Sequence, residues 1–285
     1  MKLISYNKSG SPGYGALISD DGVVDLSARL GARYPDLKSA MAPEGIADLA
    51  AAVEGQAADF ALGDVTLDAV IPRPDKIICV GLNYESHRKE TGRDKSANPT
   101  LFARFANSQM GHGAPIIRPH VSDKLDYEGE IAVIIGKAGR YIKEADAMDH
   151  VAGYSCYNDA TLRDWQRHTS QFLPGKTFVA TGGFGPWMIT ADEAPETFEL
   201  TTRLNGEVMQ NATSDMMIFS IPEIIAYCSS FTELVPGDVI ATGTPGGVGF
   251  KRDPAVFMKP GDSVEVEISG IGTLVNPIED EQDLT

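Results

Sequence analysis

A chain of 285 residues with 42% hydrophobic and 22% charged residues can bury a sizeable core, which excludes a disordered or low-complexity protein. A net charge of −16, with a pI near 4.7, excludes the clustered basic surface that nucleic acid or an anionic membrane requires of a partner. No run approaches the ~18 apolar residues of a spanning helix, and the three scattered cysteines, Cys79, Cys156 and Cys228, fit neither a disulfide framework nor a zinc site. Buried free thiols in a reducing compartment are expected instead. The opening residues carry no continuous apolar segment, so no secretory signal is expected and the cytoplasm is the expected location.

Residues 1–70 read as a small N-terminal α/β module of structural character. Strand-like residues 2–6 and 14–19 flank a Ser9-Gly10-Ser11-Pro12-Gly13 turn, and an alanine-rich helix is expected near residues 45–52. The two prolines of Ile71-Pro72-Arg73-Pro74-Asp75 mark a linker, and residues 71–285 then form the expected catalytic domain. Its first strand, residues 76–80, leads into Gly81-Leu82-Asn83-Tyr84. The following stretch, residues 85–94, is polar on every side. As a helix it places His87 and Glu90 at i and i+3, either as a solvated surface pair or as a general base oriented by a carboxylate. A helix without an apolar stripe has the composition of a lid that something else must hold closed.

Leu125-Asp126-Tyr127-Glu128-Gly129-Glu130 runs into the apolar residues 131–135, the pattern of a buried strand. Glu128 and Glu130 are two apart, so they share a face, and Gly129 between them permits close approach of backbone or ligand. On an edge strand such a pair is ordinary surface. Entering a core, two carboxylates need a proton, a base or a cation, and an all-oxygen set suits a hard divalent ion. A third candidate, Asp159, follows the strand-like residues 151–157. Residues 160–168 are compatible with a helix whose first amides would face an anionic ligand.

Ser170-Gln171-Phe172-Leu173-Pro174-Gly175-Lys176-Thr177 fails as a phosphate-binding loop, because Ser170 stands where the first glycine is required. Lys176 is then either a surface lysine or a cation beside the carboxylates. Asn205-Gly206 signals a hairpin, and Ser220-Ile221-Pro222-Glu223 opens a helix through Phe231 with a capping box. Between two Pro-Gly-Asp turns lies Thr242-Gly243-Thr244-Pro245-Gly246-Gly247-Val248-Gly249. It is either a tight connection or a loop whose amides and Thr244 hydroxyl hold a carboxylate.

Taken together, Gly81-Leu82-Asn83-Tyr84 with His87 and Glu90, the 125–130 motif, Asn158-Asp159 with Arg163-Asp164, Gly175-Lys176, and residues 236–245 resemble the fumarylacetoacetate hydrolase family from about residue 72 to the C-terminus. The resemblance implies an α+β, mainly β fold with a mixed β-roll catalytic domain, assembled as a homodimer. It implies a Mg2+ or Mn2+ ion, replaceable by Ca2+ in crystals, on Glu128, Glu130 and Asp159. His87 and Glu90 are implied as a water-activating dyad on a closing lid with Lys176 as the third catalytic residue. Arg163, Gln166, Thr244 and Tyr84 are implied around the substrate. Two segments depart from the family's usual wording, Trp165 and residues 176–186, and both are implied to border the distal end of the pocket.

The activity implied is hydrolysis of the C3–C4 bond of a 2,4-dioxo acid, such as an acylpyruvate or a sugar-acid-derived diketo acid, to pyruvate and a carboxylic acid. The alternative is an isomerase, hydratase or decarboxylase of a 2-oxo acid from aromatic catabolism using the same metal site. A binding protein without activity is a third reading, and the presence of every proton-transfer and metal residue of the pattern speaks against it.

Overall fold

The strand Gly129–Ile135 is wholly buried, and its alternate side chains enter two different cores. The structure is a computed structural model describing residues 1–282. Ile131, Val133 and Ile135 pack with Leu200, Val266, Ile224 and Cys228 on one side, whereas Ala132 and Ile134 pack with Leu3, Met41, Ile77 and Met188 on the other. Burial on both faces is why this stretch reads as a continuous apolar run and not as an alternation.

The fold is mainly β with few helices. Among the described residues twelve strands form one mixed sheet, with Gly129–Ile135 set between Val151–Asp159 and Val239–Ala241. The sheet continues from Val239–Ala241 to Ile77–Gly81 and Thr100–Ala103 on one side. On the other it passes through Gly182–Thr190 to the N-terminal strands Lys2–Lys8, Ser11–Leu17 and Gly22–Asp25. Residues 1–70 therefore add strands to the central sheet and share its core.

A second sheet runs Glu207–Thr213, Glu199–Leu204, Ser263–Ile268, Gly272–Asp280 and Ile116–Arg118. Its hairpin turns at Asn205 and Gly206, both with positive φ (53° and 81°), the conformation that Asn-Gly accepts with least strain. The two sheets meet where a Cβ on Gly129 would lie 2.1 Å from Thr202 Oγ1, so the close approach allowed by this glycine is that of Thr202. Helix Pro43–Val53 covers the first core. Helix Ile221–Phe231 starts on the expected capping box, Ser220 Oγ accepting from Glu223 N and Glu223 from Ser220 N. The three cysteines are free and buried. Among the described residues no helix is long and apolar enough to cross a membrane.

One expected element is absent. Residues 160–168 are not a helix: Thr161–Leu162 forms a short strand antiparallel to Leu125–Asp126, and only Trp165–Arg167 makes a single 3-10 turn. Residues 160–163 are buried. Pairing of this buried segment with the 125–126 backbone outweighs a weak helical propensity, and no helix start is left to face a ligand.

Candidate active site

The strand pair Gly129–Ile135 and Val151–Asp159 sets Glu128, Glu130 and Asp159 together. Gly129 lies opposite Asn158, Asp159 N donates to Glu128 O at 2.8 Å, and Asn158 Oδ1 accepts from Glu128 N at 3.0 Å. One oxygen from each carboxylate lies within 4.8 Å of the others, and all three residues are buried.

Three cations answer this cluster. Lys176 Nζ reaches Glu128 Oε2 and Asp159 Oδ2, each at 2.5 Å. Arg163 Nη2 lies 2.6 Å from Glu128 Oε1, off the axis of a hydrogen bond, while its Nε donates to Asp126 Oδ2 at 2.8 Å. Arg104 Nη1 donates to Asp159 Oδ1 at 2.6 Å and to Ala160 O, and its other nitrogens reach Thr181 Oγ1 and Ser108 Oγ. Burial alone would raise the Glu128 carboxyl, but Arg163, Lys176 and His87 outweigh it and hold it at about 2. Burial would lower Lys176, and Asp159 and Glu128 reverse that, so the ammonium stays charged.

Glu130 is treated differently. Its Oε2 accepts from Gly243 N at 2.9 Å, and no described residue forms an ion pair with it. Burial first, then Asp159 and Glu128, push its carboxyl well above the usual range. With Asp126, four buried acids face three buried bases, and the acid left without a base is Glu130. An oxygen-only triad with uncompensated charge fits a hard divalent cation such as magnesium or manganese.

His87 lies on helix Glu85–Thr91 and is 5% exposed, not a solvated surface residue. Its Nδ1 is 2.7 Å from Glu90 Oε1, which leaves Nε2 for the cavity that His87 lines. The helix has no apolar stripe. Polar ties hold it to the loop after Val239–Ala241: Gly247 N donates to Glu90 Oε2 at 2.9 Å and Gly246 N to Ser86 Oγ at 3.0 Å.

That loop holds carboxylates, but they are the protein's own. Gly243 N serves Glu130, Gly247 N serves Glu90, and the amides of Gly249 and Phe250 serve Asp126. Thr244 Oγ1 accepts from Gln210 Nε2, whose amide oxygen in turn accepts from Gly129 N. One loop thus fixes a candidate metal ligand, the partner of His87 and the partner of Arg163.

Part of this network borders a cavity of about 930 Å³. Glu128, Glu130, His87, Arg163, Lys176, Gln166 and Thr244 line it, and Asp159 lies beneath Lys176. Gln166 Oε1 accepts from Arg163 Nη1 at 3.1 Å. Tyr84 does not line it. That side chain is 1% exposed and bridges Met217 through its backbone, and its hydroxyl has no hydrogen-bond partner in the protein. Burial first, then Glu130, raise the phenol. Of the departing segments, Trp165 packs on Phe178 and stays out of the lining, and of residues 176–186 only Lys176 is in the wall, whereas Arg167, Thr169, Ser170 and Phe172 between the two are part of it.

Four contributors went unread in the sequence: Arg104, Asp126, Gln210 and Phe250. Asp126 stood inside the acidic motif, and Arg104 was a lone charge among Leu101, Phe102 and Phe105. Gln210 and Phe250 gave no local signal.

The profile of the fumarylacetoacetate (FAA) hydrolase C-terminal family matches residues 76–279. The chain is 40% identical over 264 residues to the mitochondrial oxaloacetate tautomerase FAHD2A of Homo sapiens, covering 90% of this chain and 84% of that one. It is 44% identical over 226 residues to the oxaloacetate tautomerase YisK of Bacillus subtilis, covering 77% and 75%. Among solved structures, a fumarylacetoacetate hydrolase from Exiguobacterium antarcticum superposes with a TM-score of 0.82 at 34% identity over 99% of this chain and 100% of that one. A maleylpyruvate hydrolase from Sphingobium sp. SYK-6, in complex with manganese(II) ion and pyruvate, superposes at 0.81 with 28% identity over the same shares.

Proposed function

The chain belongs to the fumarylacetoacetate hydrolase family, and from that premise we propose that it is a magnesium- or manganese-dependent tautomerase converting the enol of oxaloacetate, or of a close 2-oxo dicarboxylic acid, to the keto form. The observation that carries this reading is the His87–Glu90 pair, set at 2.7 Å and opening on the cavity that Glu128 and Glu130 also line. The oxaloacetate tautomerases among the relatives support it and move the expected C–C hydrolysis to second place.

Glu128, Glu130 and Asp159 would hold the divalent ion, which would supply Lewis acidity to the 2-oxo acid end of the substrate. The side chains move the protons. Ketonisation removes the enol O–H proton and adds one at C3, as the C2=C3 electron pair becomes the new C3–H bond. His87, its tautomer fixed by Glu90, takes the first proton at Nε2 and returns one to C3. Lys176, permanently charged between Glu128 and Asp159, stabilises the negative charge that passes through the 2-oxygen. Arg163, Gln166 and Thr244 orient the substrate from the walls.

Hydrolysis of a 2,4-dioxo acid is kept as a second reading, because the same dyad can take a proton from water and the maleylpyruvate hydrolase shares the fold. In that case water oxygen attacks C4, the C3–C4 bond breaks, and the pyruvate enolate released accepts a proton at C3. The homodimer, the choice of metal, and a division into a structural part (1–70) and a catalytic part (71–285) belong to the same proposal.

The test follows the ultraviolet absorbance of enol-oxaloacetate with purified protein, with metal and then with excess chelator. Metal-dependent loss of the enol band with oxaloacetate conserved is the expected result. Pyruvate and acetate from acetylpyruvate, with no effect on enol-oxaloacetate, would replace tautomerisation by hydrolysis.

A further inference from the structure

The outer part of the cavity holds two cations that the chemistry above does not use. Arg93 follows the His87 helix, Arg167 ends the 3-10 turn after Asp164, and both line the same cavity. Neither forms an ion pair with a described acidic residue, in a protein whose net charge is −16. Asp94 also lines this end, and its field falls on Arg88. Arg167 rests on the Phe250 ring at 4.6 Å, and Arg163, the partner of Glu128, rests on the same ring at 4.3 Å. Phe250 thus links the carboxylate cluster to the outer cations through one platform. Burial, Arg163 and Arg93 together lower the Arg167 guanidinium, so this corner is short of negative charge.

We propose that Arg93 and Arg167 form a subsite for the second carboxylate of a short 2-oxo dicarboxylic acid, the end opposite the 1-carboxylate and 2-oxygen. This rests on the reading of Glu128, Glu130 and Asp159 as the seat of the 2-oxo acid end. Two like-charged guanidinia on one cavity, one of them stacked on an aromatic ring, gain from an anion that bridges them, and the planar fork suits a carboxylate. A methyl or aryl group at that position leaves both charges unanswered. Arg93 stands just past the C-cap Gly92, so closure of the helix that carries His87 and seating of the second carboxylate engage the same segment.

The experiment compares oxaloacetate with 2-oxobutyrate, which has a methyl group in place of the second carboxylate, as ligands of the metal-loaded enzyme by calorimetry. In the wild type oxaloacetate binds at least about tenfold more tightly. That ratio falls about tenfold in the Arg93→Gln, Arg167→Gln double variant, and Arg167→Lys, which keeps the charge without the fork, lies between. Circular dichroism on each variant separates misfolding from loss of the subsite. Equal affinities in the wild type, or a ratio that survives in the folded double variant, overturn the proposal. A ratio that collapses as stated without any turnover of enol-oxaloacetate leaves the subsite standing and the tautomerase reading refuted. Turnover with an unmoved ratio does the reverse.

Discussion

At the deep end of the cavity Lys176, Arg163 and Arg104 each touch a carboxylate and are almost wholly buried, whereas at the outer end Arg93 and Arg167 pair with no described acid and lie exposed. Both regions are rich in charge, but only the deep one is desolvated. There each charge must be answered within the fold, and the single acid left over, Glu130, is where a proton or a cation from outside has to answer it. The outer cations remain in solvent, where they cost little and stay free to meet a ligand. A surplus of charge inside points to a cofactor, and a surplus at the rim points to a substrate.

The largest effect that would sharpen this contrast is loss of the dyad. His87→Asn is expected to lower kcat by about 10²–10⁴-fold, with metal affinity measured by calorimetry nearly intact. Metal binding lost in that variant would place His87 among the ligands instead. Glu130→Gln comes next. A divalent ion at a hundredfold excess over its dissociation constant should raise wild-type stability by about 2.7 kcal/mol, and this gain should vanish in the variant. Without metal, the variant should be at least as stable as the wild type, since it removes the one unanswered buried acid. A variant markedly less stable than the metal-free wild type would show that Glu130 is paired after all.

Arg104→Met removes the base that holds Asp159 and three neighbouring oxygens, and should cost about 3–5 kcal/mol in urea unfolding with a parallel loss of metal affinity. A near-neutral result would mean that Lys176 alone holds Asp159. The smallest effect belongs to the surface pair Glu85–Arg88, where Arg88 first, then Lys89, hold the exposed Glu85 carboxyl at about 2 despite slight desolvation. A depressed carboxyl stabilises the fold above its unfolded value of about 4.3, and the contribution is lost as pH falls toward 2. Glu85→Gln should therefore differ slightly from the wild type in melting temperature at pH 7 in low salt, and the difference should shrink as pH falls through about 2. Unlike the deep pairs, this one should also disappear in high salt.

The candidate metal ligands were legible because Glu128 and Glu130 run straight into an apolar strand, where two like charges demand an explanation. Their partners were not. Gly243 meets Glu130 across 113 positions of sequence, and Gly249 meets Asp126 across 123, so no local pattern announces either contact. The loop at 242–249 reads as either a tight connection or a carboxylate holder, and which carboxylates it holds depends on sheet order, which places Val239–Ala241 beside Gly129–Ile135. The segment at 160–168 misled for the opposite reason. Its composition permits a helix, and only the presence of Leu125–Asp126 alongside makes it a strand. The capping box of Ile221–Phe231 and the Asn205-Gly206 hairpin depend on neighbours in sequence, and both were read correctly.

The most direct test of the central claim is proton exchange at C3 of oxaloacetate in D2O, followed by NMR with metal-loaded enzyme. The account predicts metal-dependent exchange of one of the two C3 hydrogens ahead of the other, because one imidazole serves one face, and exchange at the uncatalysed rate in His87→Asn. Exchange in that variant equal to wild type, or no exchange above background in the wild type with metal bound, would contradict it.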